Sequence, residues 1–149
     1  MKVLIIDDYE GTAVTLQKRF KIMNHDADYI SEGKKALDFC NTKEAKKYDC
    51  FLVDLYLNGI SGIDIYNALK IWGVSDKVIF ITGCDGRAEI FQKAVSTKQP
   101  VVMKKFNSKD LIHSIEKNDV KAWAIEHMRS KGVDILKYEL AEAVSSESL

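Results

Sequence analysis

Short apolar runs recur along the chain, and each is followed by a longer amphipathic stretch. Four runs are nearly continuous in apolar residues and rich in β-branched ones, at residues 3–6, 51–53, 78–81 and 101–103. This pattern is typical of strands buried on both faces of a parallel sheet. A weaker run at residues 27–30 predicts a fifth strand, nearer the edge of the sheet.

The stretches between these runs have the periodicity of helices. Apolar residues three or four apart predict five helices, around residues 14–23, 36–40, 63–69, 88–95 and 108–115, with Ser108 as the cap of the last. Strands alternating with helices predict an α/β fold with a doubly wound, five-stranded parallel sheet. Such sheets carry their sites at the carboxyl ends of the strands.

The C-terminal part predicts additional helices. An apolar stripe with helical spacing ends before Gly132, which is expected to stop the helix, and consists of Val120, Trp123, Ala124, His127 and Met128. A second stripe precedes a serine-rich end and consists of Leu136, Leu140 and Val144. We therefore divide the chain into a domain of residues 1–118 and a helical extension of residues 119–149 with a frayed end. These helices either pack on their own domain or form a homodimer or partner surface, with Trp123 as an anchor.

Composition narrows the classes of function. The chain has 149 residues, 46% of them apolar, and 22 basic residues balance 22 acidic ones. This balance favours neither a nucleic-acid partner nor an anionic membrane. Cys40, Cys50 and Cys84 form no CxxC pair, so buried free thiols are expected. No apolar run is long enough to be a signal-peptide core or to span a bilayer, and a cytoplasmic location is expected.

Polar residues with a common chemistry follow four of the predicted strands. The first strand ends in Asp7 and Asp8, the third in Asp54, the fourth in Thr82 and the fifth in Lys104. In a parallel sheet these side chains share one rim. Three carboxylates that lie close together repel each other, and Mg²⁺ relieves that repulsion with oxygen ligands.

The same set predicts roles in phosphoryl transfer. Asp54 is the expected nucleophile, because a central strand places it in the middle of the rim. Lys104 would contribute a positive charge and Thr82 a hydroxyl to the phosphoryl oxygens.

At these positions the sequence resembles the response-regulator receiver family, over roughly residues 1–118. The matching segments are VLIIDD at 3–8, FLVDLYLNGISG at 51–62, VIFITG at 78–83 and VVMKKF at 101–106. The resemblance implies a flavodoxin-like strand order 2-1-3-4-5. It also implies Asp7 and Asp8 as Mg²⁺ ligands, Asp54 as the phosphorylated residue, Thr82 as the switch hydroxyl and Lys104 as the phosphate partner. The main-chain carbonyl of Tyr56 would complete the metal shell, and Gly62 matches the glycine after the family's loop.

The resemblance implies a regulator and not an enzyme. A sensor histidine kinase or a phosphotransfer protein would phosphorylate Asp54, and the phosphorylated form would act by contact with a downstream protein. One alternative is a pseudo-receiver, an interaction module without phosphorylation. Another is a haloacid-dehalogenase-like phosphatase, because residues 8–12, DYEGT, come close to the DxDGT signature.

Three positions depart from the family pattern. Lys105 replaces the usual proline after the lysine, and a cis bond without proline costs about 3–4 kcal/mol, so that bond is expected to be strained or trans. Val101 stands where the family often has an aromatic switch residue. Asn58-Gly59 replaces a usual proline and is expected to loosen the loop after Asp54.

Overall fold

The chain builds a five-stranded parallel sheet in the order β2-β1-β3-β6-β7. The computed structural model describes residues 1–83 and 88–133; Cys84 and the second C-terminal apolar stripe lie outside them. The sheet strands are β1 (Lys2–Ile6), β2 (Asp26–Ile30), β3 (Cys50–Asp54), β6 (Val78–Thr82) and β7 (Val101–Met103). Two further strands, β4 (Tyr56–Leu57) and β5 (Ile60–Ser61), pair with each other in a separate two-stranded sheet. In the five-stranded sheet β6 and β7 are therefore the fourth and fifth strands along the chain, and the predicted order 2-1-3-4-5 is confirmed.

Six α-helices and two short 3-10 helices connect and follow the strands in the described residues. The α-helices are α1 (Glu10–Ile22), α2 (Gly33–Cys40), α3 (Gly62–Ile71), α4 (Glu89–Ser96), α5 (Ser108–Glu116) and α6 (Val120–Ser130). The 3-10 helices are Lys43–Lys47 and Ser75–Lys77. In the part of the chain that the structure describes, no helix is long and apolar enough to cross a membrane.

Two compact units can be distinguished along the chain, residues 1–81 and 82–149. In the first unit, β1 pairs in parallel with both β2 and β3. Every residue of β3 is buried, including the terminal Asp54, and the apolar run that precedes Asp54 is typical of a central strand. This burial fixes the end of β3, and therefore Asp54, against its neighbouring strand.

The loop after β3 is closed by a hairpin. Tyr56 pairs with Ser61 and Leu57 with Ile60, so Asn58 and Gly59 form a two-residue connection. Gly59 has φ +81°, a left-handed conformation that glycine adopts without a steric penalty. Asn58 and Gly59 therefore form the turn of a short β-hairpin. The expectation from the sequence that this loop would be loosened is not met.

In the second unit, α6 follows α5 closely and lies against both α5 and β7. Its buried residues, Ala124 and Met128, belong to the predicted apolar stripe. Gly132 has φ +75°, and the N–H groups of Gly132 and Val133 donate to the carbonyls of Arg129 and Met128, which forms a Schellman ending. The predicted helix and its glycine stop are both confirmed.

The structure corrects one helix boundary. Ser108 was predicted to cap α5, but Asn107 is the N-cap, and its side-chain oxygen accepts from the Asp110 N–H at 3.0 Å. Serine and asparagine are comparable caps, so the sequence alone does not separate the two positions.

The two cysteines in the described residues are free and buried, as predicted. Burial raises the pKa of both the Cys40 and the Cys50 thiol to about 12. Both thiols are therefore protonated and unreactive at neutral pH.

Candidate functional site

Three aspartates converge at the carboxyl end of the first unit's strands. Asp7 and Asp8 directly follow β1, and Asp54 is the last residue of β3. Because Ile6 pairs with Val53 in parallel register, the two strands end side by side. One carboxylate oxygen from each of the three aspartates lies within 4.8 Å of those of the other two.

Burial and hydrogen bonding fix two of the three carboxylates. Asp7 is 3% exposed and Asp54 is 4% exposed, whereas Asp8 is exposed to solvent. Asp7 Oδ1 accepts from the Tyr9 N–H at 2.9 Å, and Asp54 Oδ1 accepts from the Tyr56 N–H at 3.0 Å. Each buried carboxylate is thus oriented by the main chain two residues later, in the same way on both strands.

This arrangement fits a hard divalent cation. The three groups offer only carboxylate oxygens, which Mg²⁺ and Ca²⁺ prefer as ligands. Negative charges this close together repel each other, and two of them are largely removed from water. A bound cation would offset that repulsion, while the exposed Asp8 leaves one side open for water and a further ligand.

The loop after Asp54 explains the glycine at position 62. The Gly62 N–H donates to the Leu55 carbonyl at 2.8 Å, which brings the first turn of α3 against the end of β3. A Cβ atom on Gly62 would lie 2.6 Å from the Asp54 carbonyl oxygen. Ser61 and Asp64 then cap α3 reciprocally, so the helix start is held in place.

Two tyrosines border the acidic cluster. Tyr9 follows Asp8 and is 67% exposed, and Tyr56 lies two residues after Asp54 and is 52% exposed. Tyr56 was expected from the sequence to contribute its carbonyl and to flank the site entrance, whereas no role was predicted for Tyr9. Both N–H contacts could have been predicted from the sequence, since an aspartate side chain readily accepts a hydrogen bond from the main-chain N–H two residues later.

Thr82 and Lys104 belong to the second unit, and the structure brings their main chains together. Thr82 is the last residue of β6 and is fully buried. The Lys104 N–H donates to the Thr82 carbonyl at 2.7 Å. The expected neighbouring strand ends are therefore present.

The peptide bond between Lys104 and Lys105 is trans, as are the other bonds in the described part of the chain. Lys105 has φ +67°, a left-handed conformation that a residue with a side chain rarely adopts. One side chain of α6 and one of its C-cap residue bind this segment: His127 Nε2 lies 2.9 Å from the Met103 carbonyl, and Lys131 Nζ donates to the Lys105 carbonyl at 3.0 Å. No sequence pattern indicated either contact.

Comparison with known families identifies the chain. The family model of the response regulator receiver domain matches residues 3–116. The chain belongs to the response-regulator receiver family. This receiver is therefore a signalling module by family, and the dehalogenase-like alternative is no longer needed to explain its residues.

Individual relatives agree with this assignment. The receiver is 30% identical to sporulation initiation phosphotransferase F of Bacillus subtilis over 93 residues, which cover 62% of this chain and 72% of that protein. It is 24% identical over 117 residues to the response regulator protein VraR of Staphylococcus saprophyticus, covering 78% of this chain but only 56% of VraR. The receiver thus spans about half the length of that relative.

A solved structure has the same fold. The response regulator protein TrrA of Thermotoga maritima, in complex with Mg²⁺ and BeF, superposes with a TM-score of 0.61 at 23% identity. The match covers 78% of this chain and 96% of that one.

Proposed function

We propose that this receiver is a phosphoacceptor response regulator of a two-component or phosphorelay system, phosphorylated on Asp54. The observation that carries the proposal is the convergence of the Asp7, Asp8 and Asp54 carboxylates within 4.8 Å. A sensor histidine kinase or a phosphotransfer protein is the proposed donor. The proposed output is contact with a downstream protein, without catalytic turnover.

The proposed metal site uses only residues of the first unit. Asp7, Asp8, Asp54 and the main-chain carbonyl of Tyr56 would hold Mg²⁺. The bound ion would supply positive charge next to the phosphoryl oxygens. The N–H groups of Tyr9 and Tyr56 keep the two buried carboxylates in one orientation during the reaction.

The proposed reaction is a phosphoryl transfer to the Asp54 carboxylate. One Asp54 oxygen forms a bond to phosphorus, and the phosphorus–nitrogen bond of a phosphohistidine breaks. The imidazole nitrogen keeps the bonding electron pair, and the transferred group becomes an acyl phosphate. Lys104 and Thr82 are carried over from the sequence resemblance as the residues that bind the phosphoryl oxygens by charge and hydroxyl.

We place the protein in the cytoplasm, where the kinase domain of a sensor would meet it. A homodimer through the C-terminal helices stays a prediction, as does the division into residues 1–118 and 119–149. No nucleic-acid or membrane partner is proposed.

The direct test is treatment of the full chain with acetyl phosphate and Mg²⁺. We expect intact-mass spectrometry to show one added phosphoryl group, and peptide mapping to locate it on Asp54. Chelation of Mg²⁺ with EDTA should prevent the addition. No adduct in the presence of Mg²⁺ would contradict phosphoacceptor function and favour the pseudo-receiver alternative.

Mg²⁺ is also expected to stabilise the folded protein before any phosphorylation. A ligand at ten times its Kd stabilises the native state by about 1.4 kcal/mol, which raises the melting temperature by several degrees. Differential scanning calorimetry in Mg²⁺ and in EDTA measures this shift.

Asp8→Asn is the matched variant for that measurement. The change removes one charge of the cluster at an exposed position, so we expect a higher melting temperature in EDTA and a much smaller Mg²⁺ shift. An undiminished Mg²⁺ shift in this variant would place the cation elsewhere.

A further inference from the structure

Lys104 lies in a segment whose backbone makes hydrogen bonds to Thr82, His127 and Lys131. Its own N–H donates to the Thr82 carbonyl at 2.7 Å. The carbonyl before it, on Met103, lies 2.9 Å from His127 Nε2, and the carbonyl after it, on Lys105, accepts from Lys131 Nζ at 3.0 Å. The carbonyls of the residues on either side of Lys104 are therefore bound by side chains of α6 and of its C-cap residue, which lie beyond the region that matches the receiver family model.

We propose that α6 and its C-cap set the position of Lys104, with His127 and Lys131 as the positioning residues. This inference rests on the proposed function, in which Lys104 binds the phosphoryl group of Asp54. His127 lies in α6 and Lys131, four residues later, is the C-cap residue of that helix; their side chains bind carbonyls two residues apart in the chain. The C-terminal end of the helix and its cap thus bind a single three-residue segment at two carbonyls.

Both contacts have a main-chain carbonyl oxygen as the acceptor, so the side chain must be the donor in each. A carbonyl oxygen only accepts, so His127 Nε2 must carry the hydrogen of its bond to Met103. Trp123 stacks on the His127 ring at 5.2 Å between centroids and 10° between planes, which fixes the plane of that ring. The Lys131 ammonium donates a charge-assisted bond, which is stronger than a neutral one.

The segment needs such support because its backbone is unfavourable. Lys105 is held at φ +67°, and a residue with a side chain stays in that region only when its surroundings determine it. An open groove of about 420 Å³ is lined by Lys105 and Phe106 from this segment and by Trp123 and His127 from α6. The two hydrogen bonds to the carbonyls therefore connect this segment to α6 and its C-cap beside the groove, in addition to the packing of α6 against β7.

The test uses the full chain with His127→Phe and Lys131→Met, singly and together. Phenylalanine keeps an aromatic ring beside Trp123 and methionine keeps an unbranched chain, so each variant chiefly removes a donor. We expect the double variant to react with acetyl phosphate about tenfold more slowly, since each lost bond weakens the support several-fold. Its Mg²⁺ affinity, measured by calorimetry, should stay within twofold of the wild type.

Two comparisons separate positioning from general stability. In a Lys104→Met background the same double variant should cause no further slowing, because the group being positioned is absent. His127→Gln and Lys131→Arg, which keep a donor, should restore most of the rate. Ala122→Gly, which weakens α6 at an exposed position without touching either bond, should leave the rate near that of the wild type.

A wild-type rate in the double variant would overturn the proposal, and so would an equal slowing in the Lys104→Met background. If the wild type is not phosphorylated at all, the proposed function fails and amide exchange decides the inference. The Lys104 N–H, followed by NMR, should then exchange about tenfold faster in the double variant than in the wild type and in Ala122→Gly. Unchanged exchange would show that α6 does not hold the segment.

Discussion

Asp54→Asn is expected to abolish phosphorylation while leaving the protein folded. The amide lacks the carboxylate oxygen that attacks phosphorus, so no acyl phosphate can form. Its side-chain oxygen can still accept from the Tyr56 N–H, which lies 3.0 Å from Asp54 Oδ1. We therefore expect a normal thermal unfolding transition and no added phosphoryl group after incubation with acetyl phosphate and Mg²⁺.

Asp38→Asn is the matched control for this variant. Asp38 is exposed on α2, so the same chemical change occurs away from the acidic cluster. This control should be phosphorylated as completely as the wild type. A phosphoryl group found on Asp54→Asn in equal yield would assign the phosphoacceptor to another residue, with Asp7 and Asp8 as the first to be mapped.

The sheet and its acidic cluster were predictable from sequence for one physical reason. Strands buried on both faces are mostly apolar, so the first polar residue after an apolar run falls at or next to the strand end. In β1 and β3 these residues are Asp7 and Asp54, and parallel pairing brings such ends together. The prediction needed no knowledge of side-chain packing, which is why the cluster was placed correctly.

The boundaries and caps were less predictable because polar residues also pair and cap. Lys2 and Thr82 belong to β1 and β6, although the apolar runs stop short of them. Backbone pairing does not depend on the side chain in the way that burial does. Asn107 and Ser108 are adjacent and comparable as caps, and the sequence holds no information that separates them.

Hydrophobic periodicity could not predict which main-chain carbonyls the side chains of α6 and its C-cap bind. Helical spacing predicted that His127 shares a face with Trp123, and the two rings do stack. His127 and Met103 are separated by 24 positions, and Lys131 and Lys105 by 26. A hydrogen bond from a side chain to a distant main-chain carbonyl cannot be predicted from the identity of the acceptor residue, since every residue has a carbonyl.

Gly62→Ala is expected to destabilise the protein by about 2–3 kcal/mol, as overpacking against a rigid neighbour does. The added Cβ would lie 2.6 Å from the Asp54 carbonyl oxygen and 3.1 Å from the Leu55 Cα, and both atoms belong to the backbone. No side-chain rotation can relieve this contact. Either α3 moves away from the end of β3, or the backbone at Asp54 shifts.

Gly73→Ala, just beyond the other end of α3, is the control that separates contact from conformation. Gly73 has φ +72°, and a methyl group there would meet nothing within 4 Å beyond its chain neighbours, so alanine costs only the left-handed backbone penalty, about 1 kcal/mol. Urea unfolding measures both losses. Since only Gly62→Ala displaces Asp54, only that variant should also slow phosphorylation by acetyl phosphate. Equal losses of stability, with equal rates of phosphorylation, would mean that the loop absorbs the methyl group and that Gly62 does not hold Asp54 in place.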